Sequence, residues 1–314
     1  LRKEITVVIC THNQADYLQK SLESLASQTL PNEQFEIIVI DNASKDHTKS
    51  IIQNFKTMEN LRYVYEPSVG LSIARNRGWQ NAQGDYVAFL DSDALASPVW
   101  LERIKGRFVS SKPEPAAVGG RIIPIWEEKR PNWLSKDLET YLGIIDWSDE
   151  PFVIRDGSQY YLAGSNIAFR RDVLQKTDGF NVALGRRGQK LLSNEEILLQ
   201  SQLTQMNMSL FYDPDICVQH HVKRHCLRKN WFYKRLFWQG ISDAIVEHHF
   251  LVMKGEAWSF FPHLRWDLAH LRTVSIWYVK ELLKRSSGRI AAKSRILYWI
   301  GRILFSIRTL VDKI

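Results

Sequence analysis

Gly84-Asp85-Tyr86-Val87-Ala88-Phe89-Leu90-Asp91-Ser92-Asp93 is the stretch from which the fold can be read. Residues 86–90 form a short unbroken apolar run, the pattern of a strand buried on both faces. Gly84-Asp85 signals a turn ahead of it. Two carboxylates, Asp91 and Asp93, stand where the run gives out. In an open α/β sheet, ligands bind beyond the carboxyl ends of the strands. Side chains alternate along an extended chain, so Asp91 and Asp93 are expected on one side and Ser92 on the other. Paired hard oxygens in that place suit a divalent cation that holds phosphates.

The same design repeats upstream. Residues 5–10 read as a central parallel strand that ends on Thr11-His12-Asn13. Residues 35–40 read as another, ending on Asp41-Asn42-Ala43-Ser44, and residues 61–65 as a third. Helices fill the gaps. Tyr17, Leu18, Leu22 and Leu25 recur at helical spacing behind Asp16, and Pro31-Asn32 breaks the pattern. Ser44 or Asp46 can cap a second helix running to about Lys56. A third covers residues 70–81 and carries Arg75-Asn76-Arg77. This alternation predicts an α/β fold with right-handed crossovers: a Rossmann-like, doubly wound, mostly parallel sheet flanked by helices. Neither a glycine-rich dinucleotide fingerprint nor a GxxxxGK[ST] loop occurs. A metal on Asp93 and cations such as Arg75 are the remaining means of holding phosphates.

Downstream, residues 98–109 read as a helix with Pro98 in its first turn, and residues 116–123 as a strand. Residues 124–159 form an irregular loop rich in rings: Trp126, Trp133, Tyr141, Trp147 and Phe152. Such rings either stack on sugar faces or anchor the loop to the core. Gly164 permits close backbone approach, and Asn166 offers a donor and an acceptor ahead of a strand over 167–169. Asp178-Gly179-Phe180 is a turn. Ser193-Asn194-Glu195-Glu196 opens a helix, where capping and the helix dipole already account for the two acids. Residues 211–212 and 216–218 read as short extended pieces, followed by His220-His221.

The 314 residues are 45% hydrophobic and 24% charged, a globular composition. The net charge of +8 is uneven: residues 1–215 sum to −4 and residues 216–314 to +12. A basic tail points to an anionic partner. Cys10, Cys217 and Cys226 form no CxxC pair, which favours a reducing compartment and no zinc site. With no leader pattern and no apolar run of about 18–20 residues, the expected location is cytoplasmic, peripheral on the inner face of the membrane. Near the end, Ile296, Ile300, Ile303, Ile307, Leu310 and Ile314 share a narrow helical arc. Arg295, Arg302 and Lys313 flank it, and Tyr298 and Phe305 lie opposite. Two readings stand: a basic amphipathic helix on anionic lipid, or a helix packed on its own domain or a second subunit.

The order of motifs resembles family 2 glycosyltransferases of the GT-A fold. Four stretches carry the resemblance: residues 7–13, residues 36–48, residues 70–78 and residues 84–93. It implies a catalytic domain over residues 1–222, with a nucleotide-sugar half (1–110) and an acceptor half (111–222), and a basic helical extension over 223–314. It further implies that Thr11 and Asn13 line the nucleotide pocket and that Asp41 meets the base. Arg75 would meet the nucleotide or its diphosphate, and Asp91 the ribose. Asp93 would bind Mn2+ or Mg2+, with Ser92 and Asn166 also at the donor site. Where the family has Glu-Asp or a near variant at a helix start, this chain has Glu195-Glu196. The second acid is the usual base, which favours Glu196 over Glu195. A histidine after the last strand often completes the metal shell, and His220 fits that spacing better than His221.

The expected activity is metal-dependent, inverting transfer of a sugar from a nucleotide-sugar, with UDP the favoured carrier and dTDP and GDP open. The acceptor is a glycan, a lipid-linked glycan or a surface polysaccharide. The expected partners are these substrates and an anionic membrane surface, not nucleic acid. The rival readings are a nucleotidyltransferase and a non-catalytic binder of anionic polymers.

Overall fold

A computed structural model describes residues 3–155, 159–253, 260–284 and 288–311. The chain divides into two compact units. The first comprises Leu1–Ile125, Gly143–Val182 and Glu195–His221, and the second Trp126–Leu142, Ala183–Asn194 and Val222–Ile314.

The first unit begins with the expected alternation: β1 (Ile5–Thr11), α1 (Ala15–Ala26), β2 (Phe35–Asp41), α2 (Thr48–Asn54), β3 (Leu61–Tyr65), α3 (Leu71–Gln80) and β4 (Tyr86–Asp91). β1 runs parallel to both β2 and β4. All seven residues of β2 are buried, which is why its sequence is apolar almost throughout. β3 is an edge strand, and its Tyr63 and Tyr65 are exposed. The registers Thr11↔Asp41 and Cys10↔Asp91 bring the polar ends of β2, β1 and β4 side by side.

The unit continues with β5 (Ala94–Ala96), α4 (Trp100–Ser110), β6 (Ala117–Trp126), β7 (Phe152–Ile154), β8 (Asn166–Arg170), α5 (Arg171–Lys176), α6 (Glu195–Gln205) and β9 (Leu210–Val222). The sheet order is β3-β2-β1-β4-β8-β6-β9-β5, with β7 on β9. β8 is antiparallel to β4 and to β6, so a parallel half meets an antiparallel half at β4. Trp100, Phe89, Phe108 and Phe169 are among the fully buried side chains. Each contributes roughly 1.5–3 kcal/mol of burial.

Three expectations need correction here. The helix after Asp93 starts at Trp100, leaving Pro98 ahead of it. The two short extended pieces are one strand, β9, which passes through Pro214. Ser44 does not cap α2: its Oγ accepts the Asn13 N–H, and Asp46 Oδ1 accepts the Thr48 N–H and hydroxyl instead. The loop rings act as anchors. Trp147 packs edge-on against Tyr160 and Tyr161, and Phe152 packs against Tyr212.

The second unit is helical: α7 (Lys229–Met253), α8 (Phe260–Leu283) and α9 (Gly288–Val311). Trp133 and Tyr141 pack edge-on against Phe232 of α7. A Cβ on Gly240 would collide with the Tyr298 carbonyl, so glycine allows the α7 and α9 backbones to touch. The buried side of α9 is Ala292, Ser294, Arg302 and Ser306. Arg302 Nε donates to Asp267 Oδ1 at 2.9 Å and its Nη2 to Glu247. The Tyr298 hydroxyl donates to Asp243 Oδ2 at 2.6 Å. Burial holds the Asp267 carboxyl above its usual range, although Arg302 pulls it down. The expected isoleucine arc is not the buried face: Ile296, Ile300 and Ile303 are half-buried and Ile307 is exposed. Lys313 and Ile314 lie outside the described residues, as does the side chain of Leu310. No helix among the described residues is long and apolar enough to cross a membrane.

Candidate active site

Every candidate residue belongs to the first unit. At its parallel half, Thr11, Asp41 and Asp91 end adjacent strands. Asp41 is 4% exposed. Its Oδ1 accepts the Ser44 N–H at 2.9 Å and its Oδ2 the Tyr63 hydroxyl at 3.0 Å. Burial and that bond push the Tyr63 phenol up to about 12, so it stays a donor. Thr11 Oγ1 is buried without a hydrogen-bond partner. Asn13 sits at φ 54°, a conformation asparagine tolerates. Its Oδ1 accepts the Lys45 N–H at 2.7 Å. Asp46 Oδ2 accepts the Ala15 N–H at 3.0 Å, so one carboxylate serves the starts of both α1 and α2. The loops after β1 and β2 are thereby tied together.

Beyond β4 the chain turns through Ser92-Asp93 into β5, three residues long. β5 pairs antiparallel with β9 in the register Ala94↔His220, and the His221 N–H donates to the Asp93 carbonyl at 2.9 Å. That pairing brings His220 Nε2 to 3.3 Å from Asp93 Oδ1. One ligand atom from each of Asp91, Asp93 and His220 lies within 4.8 Å of the others. Two carboxylate oxygens and an imidazole nitrogen form a donor set that fits Mn2+ well; Mg2+ would lean on the oxygens. The expected strand alternation is not what places Asp93: Ser92 and Asp93 form a turn, and that turn brings Asp93 near Asp91. Ser92 is buried, and its Oγ donates to Gln14 Oε1 at 2.9 Å, at the entrance to α1. His221 packs edge-on against Tyr17, ring centroids 5.2 Å apart.

Arg75, on α3, is 3% exposed. Its Nη2 donates to Asp91 Oδ1 at 3.1 Å and its Nη1 to Glu195 Oε1 at 2.6 Å. Burial opposes its charge, but Asp91, Glu195 and Glu196 outweigh burial and hold its pKa above the usual value. The guanidinium lies over the Phe180 ring, 5.6 Å from its centroid. A Cβ on Gly164 would come within 2.6 Å of Arg75 Nη1, so the close approach that glycine permits serves this side chain. Arg75 therefore links the strand-end acids to the start of α6.

Glu195 and Glu196 open α6 but differ in circumstance. Glu195 is buried and held by Arg75. Glu196 is half-buried, and the Oε2 atoms of both acids are buried without a hydrogen-bond partner. Burial, helped by the Glu195 charge and opposed by Arg75, pushes the Glu196 carboxyl up to about 7. Burial pushes the Cys10 thiol, near the end of β1, up to about 12 despite Arg75, which disfavours the thiolate.

Asn166 is a joint of the sheet. It is fully buried, its Oδ1 accepts from Trp100 Nε1 at 2.8 Å, and its Nδ2 donates to the carbonyls of Arg121 and Ile216. With the whole amide committed, contact with a donor substrate does not fit its place. Sequence reading passed over Tyr63, Gln14 and Gln200. Gln200 on α6 binds both the N–H and the carbonyl of Leu162, which fixes α6 beside Gly164. Glutamine on a helix carries no signal of such a long-range clamp; Tyr63, exposed at an edge strand, was the one with a visible pattern.

A family model described as "Glycosyl transferase family 2" matches residues 6–178. The glucosyl-dolichyl phosphate glucuronosyltransferase of Haloferax volcanii is 25% identical over 286 residues, 90% of this chain and 86% of that one. Glycosyltransferase AglE of the same organism is 40% identical over 101 residues, 32% of this chain and 33% of its own. Among solved structures, the mannosyltransferase PcManGT from Pyrobaculum calidifontis, in complex with GDP-Man and Mn2+, aligns with a TM-score of 0.63 at 18% identity, covering 100% of this chain and 89% of that one. S. aureus TarS 1–349 in complex with UDP aligns with a TM-score of 0.54 at 18% identity, covering 98% and 92%. At these identities the solved structures speak for the fold.

Proposed function

The chain belongs to glycosyl transferase family 2, and from that premise we propose that it is a metal-dependent, inverting enzyme. It moves a sugar from a UDP-sugar to a hydroxyl of a glycan, lipid-linked glycan or surface polysaccharide, at an anionic membrane surface. The observation that carries this reading is the gathering of Asp91, Asp93 and His220 at the strand ends, joined through Arg75 to the acids of α6.

Asp91, Asp93 and His220 would hold Mn2+ or Mg2+. A bound ion supplies positive charge to the diphosphate that leaves the anomeric carbon. Thr11, Asn13 and Asp41 line the nucleotide side; Tyr63 and Ser44 fix Asp41, and the open Thr11 Oγ1 can donate or accept. Glu196 is the base. A carboxylate with a pKa near 7 is matched to accepting the proton of an acceptor hydroxyl at neutral pH. Glu195, held on Arg75, positions the start of α6 and adds the negative charge that keeps Glu196 basic. A single displacement inverts the anomeric carbon and needs no covalent nucleophile.

The name of the Haloferax relative supports a lipid-linked acceptor. UDP in the TarS structure and GDP-Man in the Pyrobaculum structure make UDP- and GDP-sugars the first donors to compare. The test is a panel of nucleotide-sugars with Mn2+, read as release of the nucleoside diphosphate. Release from one UDP-sugar, abolished by EDTA, is expected. Full turnover in EDTA would remove the metal from the mechanism, and pyrophosphate release from a nucleoside triphosphate would make the protein a nucleotidyltransferase.

A further inference from the structure

Helix α8 turns outward a stripe that a helix in water normally buries. Arg265, Leu268, Arg272, Ile276, Val279 and Leu283 follow one another at steps of three or four, which sets them along one side. Leu268, Ile276, Val279 and Leu283 are 47%, 49%, 54% and 80% exposed. The opposite side carries Asp267, 1% exposed and bound to Arg302. On α9, Leu304 and Ile307 are exposed as well. Of the 18 large apolar side chains exposed among the described residues, 10 lie between residues 252 and 307. So dense an apolar surface marks a site of association.

We propose that this outward stripe of α8 docks on an anionic phospholipid surface, lying in the interface without crossing it. Charge selects the occupant. α8 and α9 together carry eight Lys and Arg against two Asp and Glu, and the buried Arg302–Asp267 pair takes one of each, leaving seven against one. A second copy of the chain would bring the same positive excess against itself, whereas anionic headgroups neutralise it. Arg265 and Arg272 stand within the stripe, and arginine can lay its stem along acyl chains with its head among phosphates. α8 lacks the apolar length to span a bilayer. The docking helix is thus α8, not the isoleucine arc of α9. The inference deepens the membrane surface of the proposed function, and its test uses no donor and no acceptor, so either can fail without the other.

The test is flotation of the full chain with phosphatidylcholine vesicles, with and without phosphatidylglycerol. The protein is expected to float only with phosphatidylglycerol, and Ile276→Glu with Val279→Glu should cut the bound fraction by about tenfold or more. Arg265→Gln with Arg272→Gln should weaken binding several-fold and flatten its salt dependence. Helix content by circular dichroism should be unchanged in both. Should the acidic pair fail to fold, the arginine pair decides alone. Equal flotation of that pair and the parent overturns the proposal, as does a parent that never floats. A parent that light scattering finds dimeric, and that Ile276→Glu with Val279→Glu makes monomeric, would assign the stripe to a second copy instead.

Discussion

The sheet unit and the last two helices of the helical unit line their buried sides differently. In the first, side chains such as Phe89, Trp100 and Phe169 fill the core, and carboxylates collect at the strand ends. In the second, the inner side of α9 carries serines and Arg302, while aliphatic side chains of α8 face out. The difference teaches that burial of charge serves two ends here. At Arg75 it joins the strand-end Asp91 to the acid that opens α6. At Arg302 it defines which faces of three helices are inside. The raised pKa of Asp267 shows that Arg302 does not fully offset the cost of burying it.

The sharpest way to break the comparison is Asp93→Ala. Turnover should fall at least about 10³-fold with the fold intact, read by product assay beside a thermal melt. Surviving activity would move the chemistry away from the strand ends. Next comes Arg302→Ala, which leaves Asp267 buried without its cation and should cost about 3–5 kcal/mol in urea melts. Arg302→Met combined with Asp267→Leu should stay within about 1 kcal/mol of the parent. If the double variant is as unstable as Arg302→Ala, the pair is a source of stability and the contrast between the units weakens. A smaller effect belongs to Gly164→Ala, whose methyl would press on the Arg75 guanidinium. It should lose about 1–3 kcal/mol and slow turnover more than it raises KM.

The mildest effect is in pH. With Glu196 as the proposed base, acting when deprotonated, kcat/KM should rise about tenfold per unit up to the neighbourhood of pH 7 and then level off, a step absent in Glu196→Gln. Stability should move the other way. The folded-state pKa lies above the unfolded one, so the native state binds the extra proton. The contribution of Glu196 is fully present at acid pH and is lost as pH rises toward and past 7. Denaturant midpoints of the parent and Glu196→Gln across that range check the sign.

The parallel half of the sheet was legible because doubly covered strands leave continuous apolar runs, and those of β1, β2 and β4 end on Thr11, Asp41 and Asp91. The antiparallel half was not. β5 is three residues long and exists only by pairing with a strand more than 120 residues later, and that pairing sets His220 against Asp93. Pro214 disguised β9 as two pieces. Asn166 read as a polar group near a ligand because its partners, Trp100, Arg121 and Ile216, are all remote in sequence. In the helical unit the periodicity of α9 was real, but a pattern built on apolar residues points the wrong way when the buried side of the helix carries two serines and an arginine.

Asp46 has a mechanical consequence. Its two oxygens, together with the Asn13–Lys45, Asn13–Ser44 and Thr11–Asn42 contacts, rivet two successive crossover loops into a single lip. Neither loop can swing without shearing bonds to the other. The loops that follow β1 and β2 are therefore bound to move as one body.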